Sequence, residues 1–307
     1  MSSYHEPVMG DEVLELLAPR AGGFYLDGTV GGGGHARLVL DACGTCRVLG
    51  VDRDPEALEA ARVALADVRP RVRLVEARFD RVTDDAEVRD RGLDGALLDL
   101  GVSSHQLDHD ERGFAFRRGI SLDMRMSSGD EGDARAFLAQ ADEAELTRVF
   151  RDYGEEPKAR RLAREIVKRR SSARLETSDD LVAALTVATG RPPAMKEKAR
   201  IFQAVRIAVN EELDALEAGL PAIRDVLKAG GVFVVIAYHS LEDRAVKNAF
   251  REWSRSCVCP PELPACVCRG RALGETLTRK VLRPQQDEIE RNPRSRSARL
   301  RAWRRAA

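Results

Sequence analysis

Residues 26–36 read LDGTVGGGGHA: the end of an apolar stretch closing on Asp27, four consecutive glycines, then a histidine that opens a new apolar-periodic segment. A chain that gives up four side chains directly after a buried strand needs backbone conformations or close approaches that a Cβ would forbid. A strand feeding a glycine turn into a helix opens a βαβ unit, so this stretch confines the chain to α/β folds. The first hundred residues repeat the alternation. FYLD (24–27), RVLGVD (47–52), VRLVEARF (72–79) and GALLDLG (95–101) read as strands. HARLVLDAC and PEALEAARVALADV read as helices between them, the second with Asp54 as N-cap and Pro55 in its first turn.

The pattern changes at about Leu107. From there to Lys198 no good strand occurs, and helical stretches follow one another: DARAFLAQADEAELTRVFRDYG, EEPKARRLAREIVKRRS and TSDDLVAALTVATG. After Pro192-Pro193 one long amphipathic run, KARIFQAVRIAVNEELDALEAGLPAIRDVLKAGG, keeps helical spacing at Ile201, Phe202, Val205, Val209 and Leu213. Gly230-Gly231 is expected to stop it, and VFVVIAYHS then returns to the sheet as a strand. The expected plan is a Rossmann-like α/β domain in two parts, 1–106 and 199–307, with an inserted helical domain at 107–198.

With 43% hydrophobic and 33% charged residues, 307 residues suffice for two domains, and disorder by composition is excluded. Lys+Arg and Asp+Glu are both 50, so net charge names no partner. No apolar run reaches transmembrane length, and the N-terminus lacks the pattern of a secretory signal, so a cytoplasmic protein with no membrane partner is expected. Two local basic clusters stand out. KARRLAREIVKRRSSAR (158–174) carries eight basic residues and one acid, and the segment from Arg291 onward has seven arginines and no acid. Both are candidate RNA contacts, since RNA affinity is largely phosphate neutralisation. LRAWRR within the tail reads as an edge strand. Cys257-x-Cys259 and Cys266-x-Cys268 bracket PPELPA. Four thiolates could hold zinc, but zinc pairs are usually two residues apart, so a reduced loop without metal is expected.

A helix N-terminus fed by glycines offers unpaired N–H groups to a ligand. Gly31-x-Gly33-x-x-Ala36 satisfies the dinucleotide fingerprint, and Asp52 follows at the end of the second strand, where an acid accepts ribose hydroxyls. A nicotinamide cofactor and S-adenosylmethionine both fit this much. Asp27 and Asp99 tilt the choice. Ligands of doubly wound sheets bind outside the carboxyl ends of the strands, where Asp27, Asp52 and Asp99 would converge. Three carboxylates repel a pyrophosphate but suit a sulfonium carrying an ammonium.

LDGTVGGGGHA, GVDRDP, LLDLGVSSHQLD, RGFAF, LDMRM, RIFQAVRIAVNEEL, YHSLEDR and NPRSRSARLR together resemble the small-subunit ribosomal RNA methyltransferase H family, also called MraW. The resemblance runs from His5 to Arg301. It implies a class I methyltransferase sheet with the helical insertion helping to bind RNA. It also implies methyl transfer from S-adenosylmethionine to the exocyclic 4-amino group of a decoding-centre cytidine in 16S rRNA. Carried over by motif, the cofactor contacts are Gly33, Gly34, His35, Asp52, Phe79 (beside the adenine), Asp99 and Gln106. The charge argument adds Asp27. The chain departs from the family pattern at His105, where proline is expected, and at Gly32, often a larger residue.

A cytosine amine is a poor nucleophile that must be held in line with the methyl group and must lose a proton late. Candidate acceptors are Asp99, Ser103, Asp123 and His239, none a firm general base. A homodimer is compatible with the sequence. Two other readings stay open at this point: an NAD-dependent oxidoreductase, and a non-catalytic RNA-binding assembly factor on the same fold.

Overall fold

The structure is a computed structural model that describes residues 7–102, 112–114, 119–127, 129–170, 175–260, 265 and 267–307. The elements run in chain order α1 (Gly10–Leu17), β1 (Phe24–Asp27), α2 (Gly34–Ala42), β2 (Arg47–Asp52), α3 (Pro55–Ala64), β3 (Val72–Glu76), α4 (Ala86–Arg91) and β4 (Leu93–Asp99). Then come α5 (Ala134–Gln140), α6 (Glu143–Asp152), α7 (Ala159–Arg170), α8 (Ser178–Thr189) and α9 (Met195–Asn210). The chain ends with α10 (Glu212–Val226), β5 (Leu227–Ala237), α11 (Ser240–Trp253), β6 (Gly274–Thr276), α12 (Gln286–Arg291) and β7 (Arg299–Arg305). It divides into two compact units, Met1–Gly101 with Asp214–Ala307, and Val102–Leu213. The divisions fall at 101/102 and 213/214, not at the expected 106/107 and 198/199, because α9 contributes Ile201, Phe202, Ala204 and Val205 to the core of the second unit.

The first unit is built on one seven-stranded sheet in the order β3-β2-β1-β4-β5-β7-β6. β3 through β5 are parallel, and β7 runs antiparallel between β5 and β6. Residues alternate between two cores, as the pleat dictates. Tyr25, Val48, Leu97, Val234 and Ile236 pack with α1, α2 and α3 on one face. Phe24, Leu26, Leu49, Leu98, Phe233 and Val235 pack with α10 and α11 on the other. Burial on both faces explains why these strands read as near-continuous apolar runs.

Several expected boundaries move. β3 stops at Glu76 rather than 79: it is an edge strand, none of its residues is buried, and after Ala77 donates to the Asp52 carbonyl the chain turns into a 3-10 segment, Phe79–Asp84. β5 starts at Leu227, so Gly230-Gly231 lies inside the strand and does not end the helix. The register shifts between Leu93 and Gly95 there, and a Cβ on Gly231 would stand 2.9 Å from the Lys228 carbonyl oxygen. The C-terminal strand is internal, paired to β5 and β6, not an edge. Its arginines are engaged. Arg301 meets Asp243 at 2.6 Å, Arg304 meets Glu275 at 3.3 Å, and Arg305 donates to the carbonyls of Arg224, Asp225 and Leu227. These contacts anchor the strand, and the reading of the tail as an RNA-binding arm is corrected to that extent.

The second unit is helical, and its described residues include no extended strand, only an isolated bridge between Ser121 and Thr177. Its core joins Leu122, Leu138, Phe150, Leu162, Ile166 and Leu181 with the α9 residues named above. The expected single run from Lys198 breaks at Glu211, which adopts a left-handed backbone at φ 52°. Asn210 gives the reason. Its buried amide accepts from the Met126 N–H and donates to the Met124 carbonyl, both at 2.7 Å, and Arg206 braces the bend through Glu212. On α7 the basic cluster splits. Half-buried Arg169 is held by Glu165 at 2.7 Å and Arg170 by the Ala141 carbonyl; Lys158, Arg160, Arg161, Arg164 and Lys168 are exposed, with Lys158 donating to the Thr189 carbonyl at 2.8 Å and Arg160 and Arg164 flanking Glu143 at 3.6 and 3.0 Å.

Candidate active site

β1, β2 and β4 end side by side, and each ends on an aspartate. The loop after β1 explains its glycines position by position. Gly31 and Gly33 have φ of 51° and 87°, conformations unfavourable for other residues. Gly33 donates to the Val30 carbonyl at 2.7 Å, and a Cβ on it would also press Leu65 at 3.1 Å. Gly34 lies against Pro7, and Ala36 is fully buried where α2 meets the sheet. The Gly33 amide is therefore spent on the turn. The amides that open α2, at Gly34 and His35, are the ones a helix N-terminus directs outward.

Asp27 is 3% exposed. One of its oxygens accepts weakly from the Thr29 N–H at 3.4 Å, and the other is buried with no hydrogen-bond partner among the described residues. Burial pushes its pKa up to about 6. His35 and the Thr29 amide work against the rise, and Asp99 and Asp52 add to it. Asp52 accepts from the N–H groups of Gly31 and Asp54, each at 2.9 Å, one per oxygen. Each oxygen keeps a second lone pair for a hydroxyl. Burial still holds Asp52 above the ordinary aspartate value, against those bonds. Asp99 takes the Tyr238 hydroxyl at 2.9 Å on one oxygen, and its other oxygen lies 3.7 Å from His35 Nδ1. Its backbone N–H donates to Thr29 Oγ1 at 2.7 Å. Burial pushes Asp99 up to about 7, with Tyr238 opposing and Glu242 reinforcing.

His35 Nε2 bonds the Val8 carbonyl at 2.9 Å, which places the proton on Nε2 and leaves the Nδ1 lone pair toward Asp99. Burial lowers its pKa, so the ring is neutral at pH 7. His35 thus neither caps α2 nor neutralises the rim. It clips the N-terminal segment over the glycine loop.

The remaining candidates separate. Phe79 is not at a strand end. It opens the 3-10 turn, and its ring lies where a Cβ on Gly219 of α10 would come within 2.6 Å. His239 caps a helix through one ring nitrogen, and its Nε2 stands 3.1 Å from Glu242 Oε1. Its Nδ1 accepts from the Glu242 N–H, and Glu242 returns the bond to the His239 N–H, a reciprocal box at the start of α11. Asp123 is engaged in an ion pair. It lies in the second unit, and although burial raises it, a two-point bond to Arg125 at 2.8 Å holds its pKa below the usual range. A carboxylate so neutralised is a poor proton acceptor. Ser103, His105 and Gln106 lie outside the described residues. Sequence reasoning missed Tyr238, Thr29 and Gly219. Tyr238 carried a signal, at the end of an apolar strand destined for the same rim as Asp99.

A sheet of this order with β7 antiparallel, a glycine loop opening α2 and an acid closing β2 make a Rossmann-like fold, and its site is that of an S-adenosylmethionine-dependent methyltransferase. The donor set fits that cofactor: bare amides for a carboxylate, Asp52 for hydroxyls, and an orphaned buried carboxylate oxygen on Asp27 for a cation.

Comparison with known proteins narrows the class. The family model described as the MraW methylase family matches residues 2–306. A ribosomal RNA small subunit methyltransferase H from Gemmatimonas aurantiaca is 51% identical over 99% of this chain and 96% of its own. Its namesake from Heliobacterium modesticaldum is 47% identical over 98% of both. A solved rRNA methylase from Streptococcus thermophilus aligns over 97% of this chain and 94% of its own, at 10% identity and a TM-score of 0.42. The chain belongs to the MraW methylase family. The oxidoreductase and non-catalytic readings have no support in these matches.

Proposed function

We propose that this chain methylates the exocyclic 4-amino group of a decoding-centre cytidine in 16S rRNA. The observation that carries the chemistry is the acid rim, in which the carboxylates of Asp27, Asp52 and Asp99 stand at the ends of three adjacent strands with no cationic side chain paired to them among the described residues. The substrate follows from membership of a methylase family whose matched relatives are named for the small-subunit ribosomal RNA.

When bound, S-adenosylmethionine supplies a methyl group activated by its sulfonium. Asp27 takes the ammonium with its unpaired oxygen, the α2 amides take the carboxylate, and Asp52 orients the ribose. Phe79 offers a face to the adenine. Asp99, with one oxygen fixed by Tyr238, presents the other as a hydrogen-bond acceptor for the attacking amine. Its pKa near 7 lets it share the proton as the amine loses it. Positioning supplies most of the rate. The exposed basic face of α7 contacts RNA phosphate.

The test is methyl transfer from labelled S-adenosylmethionine to small ribosomal subunits, with nucleoside mass spectrometry on rRNA from cells lacking the protein. Loss of N4-methylcytidine is expected. An unchanged nucleoside profile would overturn the substrate assignment. For the RNA face, Arg160→Glu with Arg164→Glu should weaken RNA binding and leave cofactor affinity unchanged.

A further inference from the structure

Between Trp253 at the end of α11 and Gly274 at the start of β6 the chain makes a twenty-residue excursion. Its root is closed by the Leu273 N–H bonding the Trp253 carbonyl at 2.8 Å, and Arg269 clamps it through Glu252 and the Arg255 carbonyl. Beyond that root the described residues of the loop supply no hydrophobic anchor. Among its described residues none is buried, and Val267 is 79% exposed. An excursion of this length whose described residues form no helix, strand or core needs another source of order.

The cysteines provide one. The sulfurs of Cys257, Cys259 and Cys268 all lie within 4.8 Å of one another, and Cys257 and Cys268 are 3.9 Å apart. That is far beyond a disulfide bond of about 2.05 Å. It matches the separation of about 3.8 Å that two sulfurs have on a tetrahedral zinc with Zn–S bonds of about 2.3 Å. The backbone is arranged to suit. The Val258 N–H points at Cys268 Sγ at 3.3 Å, and the Val267 N–H points at Cys259 Sγ at 3.4 Å. Each amide follows a cysteine and reaches across to a sulfur on the opposite arm. Such bonds complement the negative charge that metal-bound thiolates carry. Cys266, the fourth thiol of the sequence pattern, lies outside the described residues, and the site stands on the other three.

We infer that Cys257, Cys259 and Cys268 form a structural zinc site that orders the 254–273 loop. This reverses the expectation of no metal. Spacing alone argued against zinc, because the pairs are one residue apart; the convergence of the sulfurs argues for it. The all-thiolate character selects a soft, borderline metal over magnesium or calcium. Each cysteine binds as thiolate and releases its proton to solvent, so uptake is tighter at higher pH.

The test uses the full chain purified from zinc-supplemented medium without chelator. Elemental analysis should give one zinc per chain, and Cys257→Ser with Cys268→Ser should abolish it. Far-UV circular dichroism and melting of the double variant check that the sheet still folds. Replacement by Co2+ should give the intense visible bands of tetrahedral thiolate coordination. Chelation should speed tryptic cleavage after Arg255, Arg269 or Arg271 at least tenfold and leave the rest of the chain resistant. Zinc retained in the folded double variant, iron in place of zinc, absent cobalt bands, or cleavage indifferent to chelator would each overturn the inference.

Discussion

Replacing Asp27 by asparagine should stabilise the cofactor-free protein at neutral pH while crippling its affinity for S-adenosylmethionine. Asp27 is raised from 3.8 to about 6, chiefly by burial. The folded protein therefore binds the Asp27 proton more tightly than the unfolded chain does. Its contribution is fully favourable below about pH 4 and is lost as pH rises through about 6. At 1.36 kcal/mol per unit, the shift amounts to about 3 kcal/mol of stability lost by the wild type between pH 4 and pH 8. Asparagine cannot ionise and should not show this loss. The substitution has its own constant cost, because an amide N–H2 placed at the orphaned oxygen lacks a partner, about 1–3 kcal/mol. That cost does not vary with pH, so the slope isolates the charge. Melting temperatures of both proteins across pH 4–8, without cofactor, should show the variant gaining on the wild type by roughly 5 °C over the range. Saturating S-adenosylmethionine should restore the wild-type advantage, since a cationic ligand pairs with the ionised carboxylate. A constant difference across pH, or a variant that binds cofactor as tightly as the wild type, would refute the reasoning.

Cofactor affinity in the wild type should strengthen from pH 5 to pH 8 as Asp27 and Asp99 ionise near 6 and 7, with proton release visible by calorimetry in buffers of different ionisation enthalpy. Tyr238→Phe removes the hydroxyl that opposes the rise of Asp99. A hydrogen bond to a charged group is worth about 1.5–3 kcal/mol, so the acid limb of the rate–pH profile should move up by about 1–2 units. Gly33→Ala forces a Cβ onto a residue at φ 87° and against Leu65, and should lower stability by about 1–2 kcal/mol in urea unfolding. His239→Asn should preserve the α11 cap and the rate, whereas His239→Ala should cost about 1 kcal/mol of stability with the rate per folded enzyme unchanged. A collapse of the rate with both would return His239 to the chemistry.

The parallel half of the sheet was legible because each strand is an apolar run bounded by glycine or an acid and spaced by a helix. The Asp54–Pro55 start of α3 and the Thr177–Asp180 box at α8 were equally local signals. What local pattern missed was set by distant partners. Nothing in VNEEL announces a break; the bend at Glu211 exists because Asn210 satisfies a backbone segment more than eighty residues away. Gly230-Gly231 looked like a stop and is a register irregularity, since its neighbour is a strand and not solvent. The tail arginines looked like free charge, but their acceptors lie on α11, β6 and the end of α10, which a linear reading does not place beside them. At the site, the aspartates could be read because they terminate strands. Tyr238 and Thr29 serve those aspartates and could not be assigned without the pairing of β4 with β5 and β1.

The way the acids are held distinguishes the site from the structural charges around it. Elsewhere in the first unit, partly buried carboxylates meet cations: Asp94 takes Lys228 at 2.6 Å, Asp85 takes Arg73 at 2.6 Å, and Asp243 takes Arg301 at 2.6 Å. Among the described residues, the partners of Asp27, Asp52 and Asp99 are of another kind: backbone amides, a phenol and a neutral imidazole. Neutral donors fix a carboxylate's orientation without cancelling its charge. A guanidinium at the same position would have made the rim more stable and useless for a cation. The cost appears in the two pKa values near 6 and 7 and in an oxygen buried without a partner. Unrelieved negative charge at the ends of three adjacent strands is a liability to folding that only a positively charged ligand removes. The fold thus carries, in its own instability, the sign of the molecule it is built to bind.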